Sequence, residues 1–183
     1  MKKLFILLVV LTAMFGCTEQ QHPLLRQVWE LLEENPESAK VVLAKVHMNS
    51  LTEKDKAEYG LLKTILVSKT NGIYKVYGMI DNDSLISASI AYYNHHGDDW
   101  LRGRAYLYRG VIRMSKLGNL PDAVKDFKVA EIISEAADDE ELKNHIYNRL
   151  HYVNIIINNH QTSAYIYFHK RYSFLCYQLS VTQ

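Results

Sequence analysis

The chain has 183 residues, with 21 Lys and Arg against 20 Asp and Glu, and 48% of it is hydrophobic. This composition excludes wholesale disorder, and a net charge of +1 gives no global reason to expect nucleic acid as a partner. Three prolines and eight glycines argue against an all-β protein, and two cysteines exclude a disulfide scaffold or a Cys-based zinc module.

The N-terminus predicts export. A short basic start precedes Leu4–Phe15, which is apolar or small throughout, and polar residues follow Cys17. At about 1.5 Å per residue this stretch covers ~18 Å, short of a ~30 Å hydrocarbon core, which favours a cleaved signal over a permanent span. Residues 1–16 are therefore predicted to be a signal peptide, and residues 17–22 a short tether to a helical domain over 23–183.

Cys17 sharpens this prediction. The stretch Met14-Phe15-Gly16-Cys17 resembles a bacterial lipobox, in which the cysteine is lipidated and becomes the first residue of the mature chain. Thr18 is not the Asp that resembles an inner-membrane retention signal. The resemblance therefore implies a lipid anchor on the periplasmic side of the outer membrane. The alternative is an ordinary cleaved signal with a cysteine there by chance.

Apolar spacing beyond the tether predicts a series of helices, because apolar residues recur on one face at a period near 3.6. The helices are predicted over 24–32, from Pro36, from Thr52 to Thr70, from Asn82 or Asp83 to about His96, from Trp100 to Leu117, from Pro121, from the acidic stretch Asp138–Glu141, and from Thr162. Residues 71–81 are predicted to be irregular, and Val76–Ile80 within them is the only strand candidate.

A small residue followed four positions later by a large apolar one recurs in every second helix. The pairs are Ala39 and Leu43, Ala88 and Tyr92, Ala123 and Phe127, and Ala164 and Phe168. In a helical hairpin the small residue lets two helices approach closely, and the large one fills the gap one turn along. A period of about 34–42 residues with one helix pair per unit points to a solenoid.

The segment Gly118–Ala130 carries the most specific form of this pattern. Its Gly-Asn turn, followed by Ala123, Phe127 and Ala130, resembles the second half of a tetratricopeptide repeat. Three earlier segments, taken in order, resemble the N-terminal part of exported tetratricopeptide proteins common in Bacteroidota: Asn35–Leu43, Ala57–Leu62 and Asp83–Tyr93. The resemblance implies an all-α fold of about four antiparallel helix pairs, stacked as a short right-handed solenoid. A closed helical bundle built on the same faces is the alternative.

Motifs for catalysis or cofactor binding are absent from the sequence, which contains no G-x-S-x-G, phosphate-binding loop, G-x-G-x-x-G or H-E-x-x-H. His95 and His96 stand beside Asp98 and Asp99, but adjacent helical residues point about 100° apart, which makes joint ligation of one metal ion awkward. We therefore predict no enzyme, no metal and no cofactor. A protein that uses its histidines for metal binding or catalysis is the remaining rival.

The resemblance to tetratricopeptide repeats predicts a binding surface. In tetratricopeptide folds the first helix of each pair lines the concave face, which here implicates helices near 100–117 and 140–158. The candidate groove residues are Tyr108, Ile112, Lys116, Arg149, Val153 and Ile156. Tyr108 and Ile112 replace the Lys and Asn with which well-known repeats grip a C-terminal carboxylate. An apolar and aromatic groove favours a helical or extended peptide as ligand. The alternative is that several of these residues simply pack against a neighbouring helix.

The last predicted helix is rich in Tyr, Phe and Leu over residues 165–180. Because a solenoid needs a polar outer face on its end repeat, this segment is expected to pack on a partner or a second copy, or to belong to a truncated longer array. We predict a non-catalytic protein–protein interaction scaffold of the bacterial cell envelope, with an unknown protein or peptide as partner and no nucleic acid. The alternative is the N-terminal sensory or regulatory part of a longer tetratricopeptide signalling protein.

Overall fold

The computed structural model describes residues 21–70, 82–115 and 117–156, and within these ranges the fold is all-α, as predicted. The helices are α1 (Pro23–Leu31), α2 (Pro36–Leu43), α3 (Glu53–Thr70), α4 (Ser84–His96), α5 (Asp99–Ser115), α6 (Leu120–Ala136) and α7 (Glu140–Ile156), with a 3-10 turn at Met48–Ser50. Several predicted features lie outside the described residues: the signal peptide with Cys17, the strand candidate Val76–Ile80, the groove candidate Lys116, the helix from Thr162 with its pair Ala164 and Phe168, and the 165–180 segment.

Polar side chains at the helix starts account for the observed boundaries. Asn119 Oδ1 accepts a hydrogen bond from the Asp122 N–H at 3.2 Å, which satisfies a backbone donor that the helix itself leaves open. Before α3, Thr52 Oγ1 accepts from the Asp55 N–H at 3.1 Å, and its hydroxyl donates to the Asp55 carboxylate at 2.8 Å. Gly97 ends α4 in the left-handed region, at a φ of 72° that favours glycine.

The helix contacts alternate along the chain. Each helix contacts the next one in the chain, and in addition α1 packs on α3, α3 on α5, and α5 on α7. All the extensive contacts of α2, α4 and α6 are with their immediate neighbours in sequence. The odd-numbered helices therefore form one continuous row of contacts, and each even-numbered helix packs between two members of that row.

Small residues allow the helices of a pair to approach closely. A Cβ on Gly110 in α5 would lie 2.4 Å from Phe127 Cε1 in α6, and a Cβ on Gly60 in α3 would lie 2.5 Å from Ser89 Oγ in α4. Ala123 and Phe127 are both fully buried, as the repeated small–large pattern predicts.

The small–large pair of α4 differs by one residue from the prediction. Ala88 is exposed and Tyr92 is only half-buried, whereas Ser89 and Tyr93 are 0% and 1% exposed. The sequence carries two adjacent pairs with the same four-residue step, so spacing alone does not choose between them. The choice is made by α3, because Ser89 is the residue that faces Gly60.

A buried ion-pair network joins α4, α5 and α6. Asp126, which is 2% exposed, accepts hydrogen bonds from Arg109 Nε at 2.9 Å and Nη2 at 2.7 Å, and from Arg113 Nη1 at 2.9 Å. Arg113 Nε also donates to Asp83, just before α4, at 2.6 Å. Because a carboxylate out of water is tolerated only when its oxygens are paired, this network ties the three helices together in one arrangement.

Candidate binding groove

One groove runs along the row of odd-numbered helices, with a volume of about 180 Å³. Each of the four odd-numbered helices contributes one buried apolar residue to its lining: Leu32 at the end of α1, Ile65 of α3, Leu107 of α5 and Leu142 of α7. Each of these leucine and isoleucine side chains follows from the apolar stripe of its own helix. The groove therefore exists only because the four helices lie side by side.

Two tryptophans form the aromatic part of the groove. The chain contains only two, and both Trp29 of α1 and Trp100 of α5 line it. Their ring centroids lie 5.2 Å apart with an interplanar angle of 57°, and Trp100 is 46% exposed. The Arg104 guanidinium sits 3.9 Å from the centre of the Trp100 ring, within the range of a cation–π interaction. Large, partly exposed aromatic surface of this kind suits contact with a ligand.

A buried carboxylate holds Trp29 in place. Trp29 Nε1 donates to Glu58 Oε1 at 2.5 Å, and Gln21 Nε2 donates to the same oxygen. Burial raises the pKa of the Glu58 carboxyl, while the hydrogen bonds from Trp29 and Gln21 act in the opposite direction. The orientation of the Trp29 indole in the groove thus depends on an acceptor from α3.

Ion pairs occupy most of the charged groups in the groove. Lys69 Nζ lies 2.6 Å from Glu33 Oε2, and Arg104 lies 2.6 Å from Asp139 and 3.3 Å from Glu141. Burial acts to raise the pKa of Asp139, but hydrogen bonds from Arg104 and from the backbone of α7 outweigh it, so the pKa is lowered. These pairs fix the walls of the groove and leave little free charge on them.

Two of the predicted groove residues meet at the edge between α5 and α7. Tyr108 lines the groove and is half-buried, and burial raises the pKa of its hydroxyl. Arg149 is also half-buried, and burial lowers the pKa of its guanidinium, against the electrostatic influence of Tyr108 and Tyr152.

The other predicted groove residues lie elsewhere. Ile112 is 0% exposed and packs against Val67 of α3, and Val153 is 2% exposed in the core formed by α5, α6 and α7. Both side chains fill space between helices and present no surface to a ligand. Ile156 is 43% exposed at the end of α7, and Lys116 lies outside the described residues.

Sequence reasoning missed Trp29, Trp100 and Arg104. It confined the groove to α5 and α7, although Trp29 and Trp100 were detectable as the only tryptophans of the chain, each on the first helix of a pair. Their juxtaposition was not detectable, because three helices, α2, α3 and α4, separate them in the chain.

Within the described ranges, no three His, Cys, Asp or Glu side chains form a group that could hold a metal ion. None of the described helices is both long and apolar enough to cross a membrane. No protein-family model, curated protein or solved structure matches the chain.

Proposed function

We propose that the chain is a non-catalytic scaffold for protein–protein contact in the bacterial cell envelope, and that its groove holds a peptide segment of the partner. The observation that carries this proposal is the groove itself, to which all four odd-numbered helices contribute and in which both tryptophans lie. Its volume of about 180 Å³ is below the ~300–1,000 Å³ typical of small-molecule sites, but an open aromatic surface suits one large side chain of a peptide.

A tetratricopeptide-like, right-handed solenoid is the architecture that we propose for this scaffold. The contacts between successive odd-numbered helices support it, since first helices of consecutive pairs contact each other in such an array. The corrected register supports it further. The step from Ser89 to Ala123, the buried small residues of α4 and α6, is 34 residues, the length of one tetratricopeptide repeat.

Peptide selection followed by fluorescence titration tests the binding role. The full-length chain, purified in mild detergent and immobilised, is panned against random decapeptides displayed on phage. Selected peptides are then synthesised and titrated into the chain. Because both tryptophans lie in the groove, occupancy should change their emission without any label.

The Trp100→Ala variant tests whether the selected peptides bind in the groove. We expect it to weaken binding of the selected peptides by about 30-fold, the loss of about 2 kcal/mol that defines an aromatic hot spot. Val41→Ala is the matched control, because Val41 is an exposed apolar residue of α2, 61% accessible and outside the groove. Equal weakening by both variants, or selected peptides that bind without touching tryptophan emission, would contradict the proposal.

The envelope location has its own test, because it rests on Cys17 and the preceding apolar stretch. The chain is expressed in a bacterium fed an alkyne analogue of palmitate, and label on the protein is measured. We expect label on the wild type and on Cys176→Ala, which removes the other cysteine, but none on Cys17→Ala. An unlabelled wild type, or a labelled Cys17→Ala, would overturn the lipid anchor.

A further inference from the structure

Arg149 is a half-buried arginine that has no counter-ion among the described residues. It lies on α7 one turn beyond His145 and two turns beyond Leu142, both of which line the groove, so the three share one helical face. In the described ranges no side chain forms an ion pair or hydrogen bond with its guanidinium, and its electrostatic neighbours are Tyr108 and Tyr152. Tyr108 also lines the groove, which places the guanidinium at the groove's α5–α7 edge.

The other described arginines each have a carboxylate. The pairs are Arg26 with Glu30 at 3.9 Å, Arg102 with Asp99 at 2.7 Å, Arg104 with Asp139 at 2.6 Å, Arg109 with Asp126 at 2.7 Å, and Arg113 with Asp83 at 2.6 Å. A guanidinium that is partly removed from water and left unpaired costs free energy, and an incoming anion would recover it. Arg149 is therefore the position at which this part of the chain is open to a negative charge.

The chemistry of the site favours a carboxylate. A guanidinium offers two parallel N–H donors that match the two oxygens of a carboxylate. Among the described residues at the groove, Arg149 carries the one unpaired positive charge, since Lys69 is held by Glu33, and Arg104 by Asp139 and Glu141. One charge balances a carboxylate, whereas a phosphate dianion would call for further cations.

We propose that the groove binds an acidic peptide segment of the partner, with a large apolar side chain against Trp100 and Tyr108 and an Asp or Glu carboxylate paired with Arg149. The proposal rests on the peptide-binding role proposed above and adds the chemistry of the ligand. A peptide fits both requirements, because residues two positions apart in an extended segment lie about 7 Å apart and point the same way.

Three matched libraries of decapeptides test it. All three libraries carry a fixed Phe. Two residues after this Phe, the acidic library carries Asp or Glu, and the neutral library carries Asn or Gln. Both of these are acetylated and amidated, whereas the third is neutral with a free C-terminal carboxylate. Binding to the full-length chain in mild detergent is read from tryptophan emission. We expect the acidic library to bind about tenfold more tightly than the neutral one, a difference of about 1.4 kcal/mol.

Variants of Arg149 test whether this residue causes the preference for the acidic library. Arg149→Gln should abolish the preference, so that the acidic and neutral libraries bind with equal affinity. Arg149→Lys, which keeps the charge but not the paired donors, should retain part of the preference. Arg26→Gln, which changes an exposed arginine on α1, should leave the preference intact. Added salt should shrink the preference in the wild type, a measurement that does not depend on the folding of any variant.

The possible results separate the two proposals. Equal binding of acidic and neutral libraries by the wild type, or a preference that survives in Arg149→Gln, overturns the acidic-segment proposal alone. Tightest binding of the third library identifies a chain-terminal carboxylate as the ligand and also overturns it. If the wild type binds none of the three libraries, the peptide-binding role itself is refuted, and the inference falls with it.

Discussion

Gly110 lies at the closest approach of α5 and α6, and we expect Gly110→Ala to destabilise the fold. The added Cβ would lie 2.4 Å and 2.7 Å from two ring carbons of Phe127, and 3.1 Å from the backbone oxygen of Ala123. The Phe127 ring is fully buried, so it has no solvent to move into. Accommodating the methyl group therefore requires that α5 and α6 separate or that the ring leaves its rotamer.

Two opposing contributions set the magnitude. Alanine is favoured over glycine inside a helix by about 1 kcal/mol, so at an open position the same substitution would stabilise. Overpacking a filled core costs about 1–3 kcal/mol. The upper end applies here, because the clash involves two ring atoms and a backbone oxygen that cannot rotate away. We expect the free energy of unfolding to fall by about 2 kcal/mol.

Urea unfolding followed by far-ultraviolet circular dichroism measures this change. Ala88→Gly, at an exposed position of α4, gives the helix-propensity difference alone and should cost about 1 kcal/mol. In a Phe127→Leu background the ring atoms that clash are gone, so Gly110→Ala should cost at least about 1 kcal/mol less than in the wild type. If Gly110→Ala stabilises the chain, or if its cost is the same in both backgrounds, the close-approach argument is refuted.

Three further substitutions probe buried polar groups by the same unfolding measurement. Asp126→Asn should lower the free energy of unfolding by about 3–5 kcal/mol, because it leaves Arg109 and Arg113 without the carboxylate that they share. The control Glu53→Gln, at an exposed position, should lower it by less than about 0.5 kcal/mol. Similar costs for the two variants would contradict the network. Glu58→Gln should stabilise the chain progressively as pH rises. Burial raises the pKa of Glu58 in the folded chain, so the stability that its protonated carboxyl contributes is fully present below the unfolded-state pKa of about 4.3. That stability is lost as the pH rises through the folded-state pKa. A stability difference between Glu58→Gln and the wild type that stays constant between about pH 4 and 8 would refute this reasoning. Tyr93→Phe should leave stability unchanged or raise it by about 1 kcal/mol, since the Tyr93 hydroxyl is buried without a hydrogen-bond partner among the described residues; a loss above about 1 kcal/mol would show that the hydroxyl is bonded.

The helices were predictable because their signals are local. Apolar residues at helical spacing identify each buried face, and a capping side chain or a glycine beside it marks the end, as Asn119 and Gly97 do. The register of α4 was not predictable in the same way. Ala88 and Ser89 are both small and stand in the same helix, and only the position of Gly60 in a different helix decides which of them is buried.

The predicted groove residues show the same difference between local signals and contacts with other helices. Tyr108 and Arg149 were predicted from helix order, and they lie near enough to influence each other electrostatically, since α5 and α7 pack together. Ile112 was predicted on the same reasoning but is buried, because Val67 of α3 covers it. A helix in a row has neighbours on both sides, and a helical face alone does not reveal how much of it those neighbours occupy.

The sequence by itself determined the all-α class, the order of the seven described helices, and the small–large pair Ala123 and Phe127 at which α6 meets α5. These properties follow from side chains within one turn or one hairpin of each other. Tertiary structure alone decided that Trp29 and Trp100 share a groove, that Glu58 orients one of them, and that Arg149 has no carboxylate partner in the described part of the chain. Each of these depends on side chains from helices far apart in the chain, whose meeting is set by the packing of the whole row.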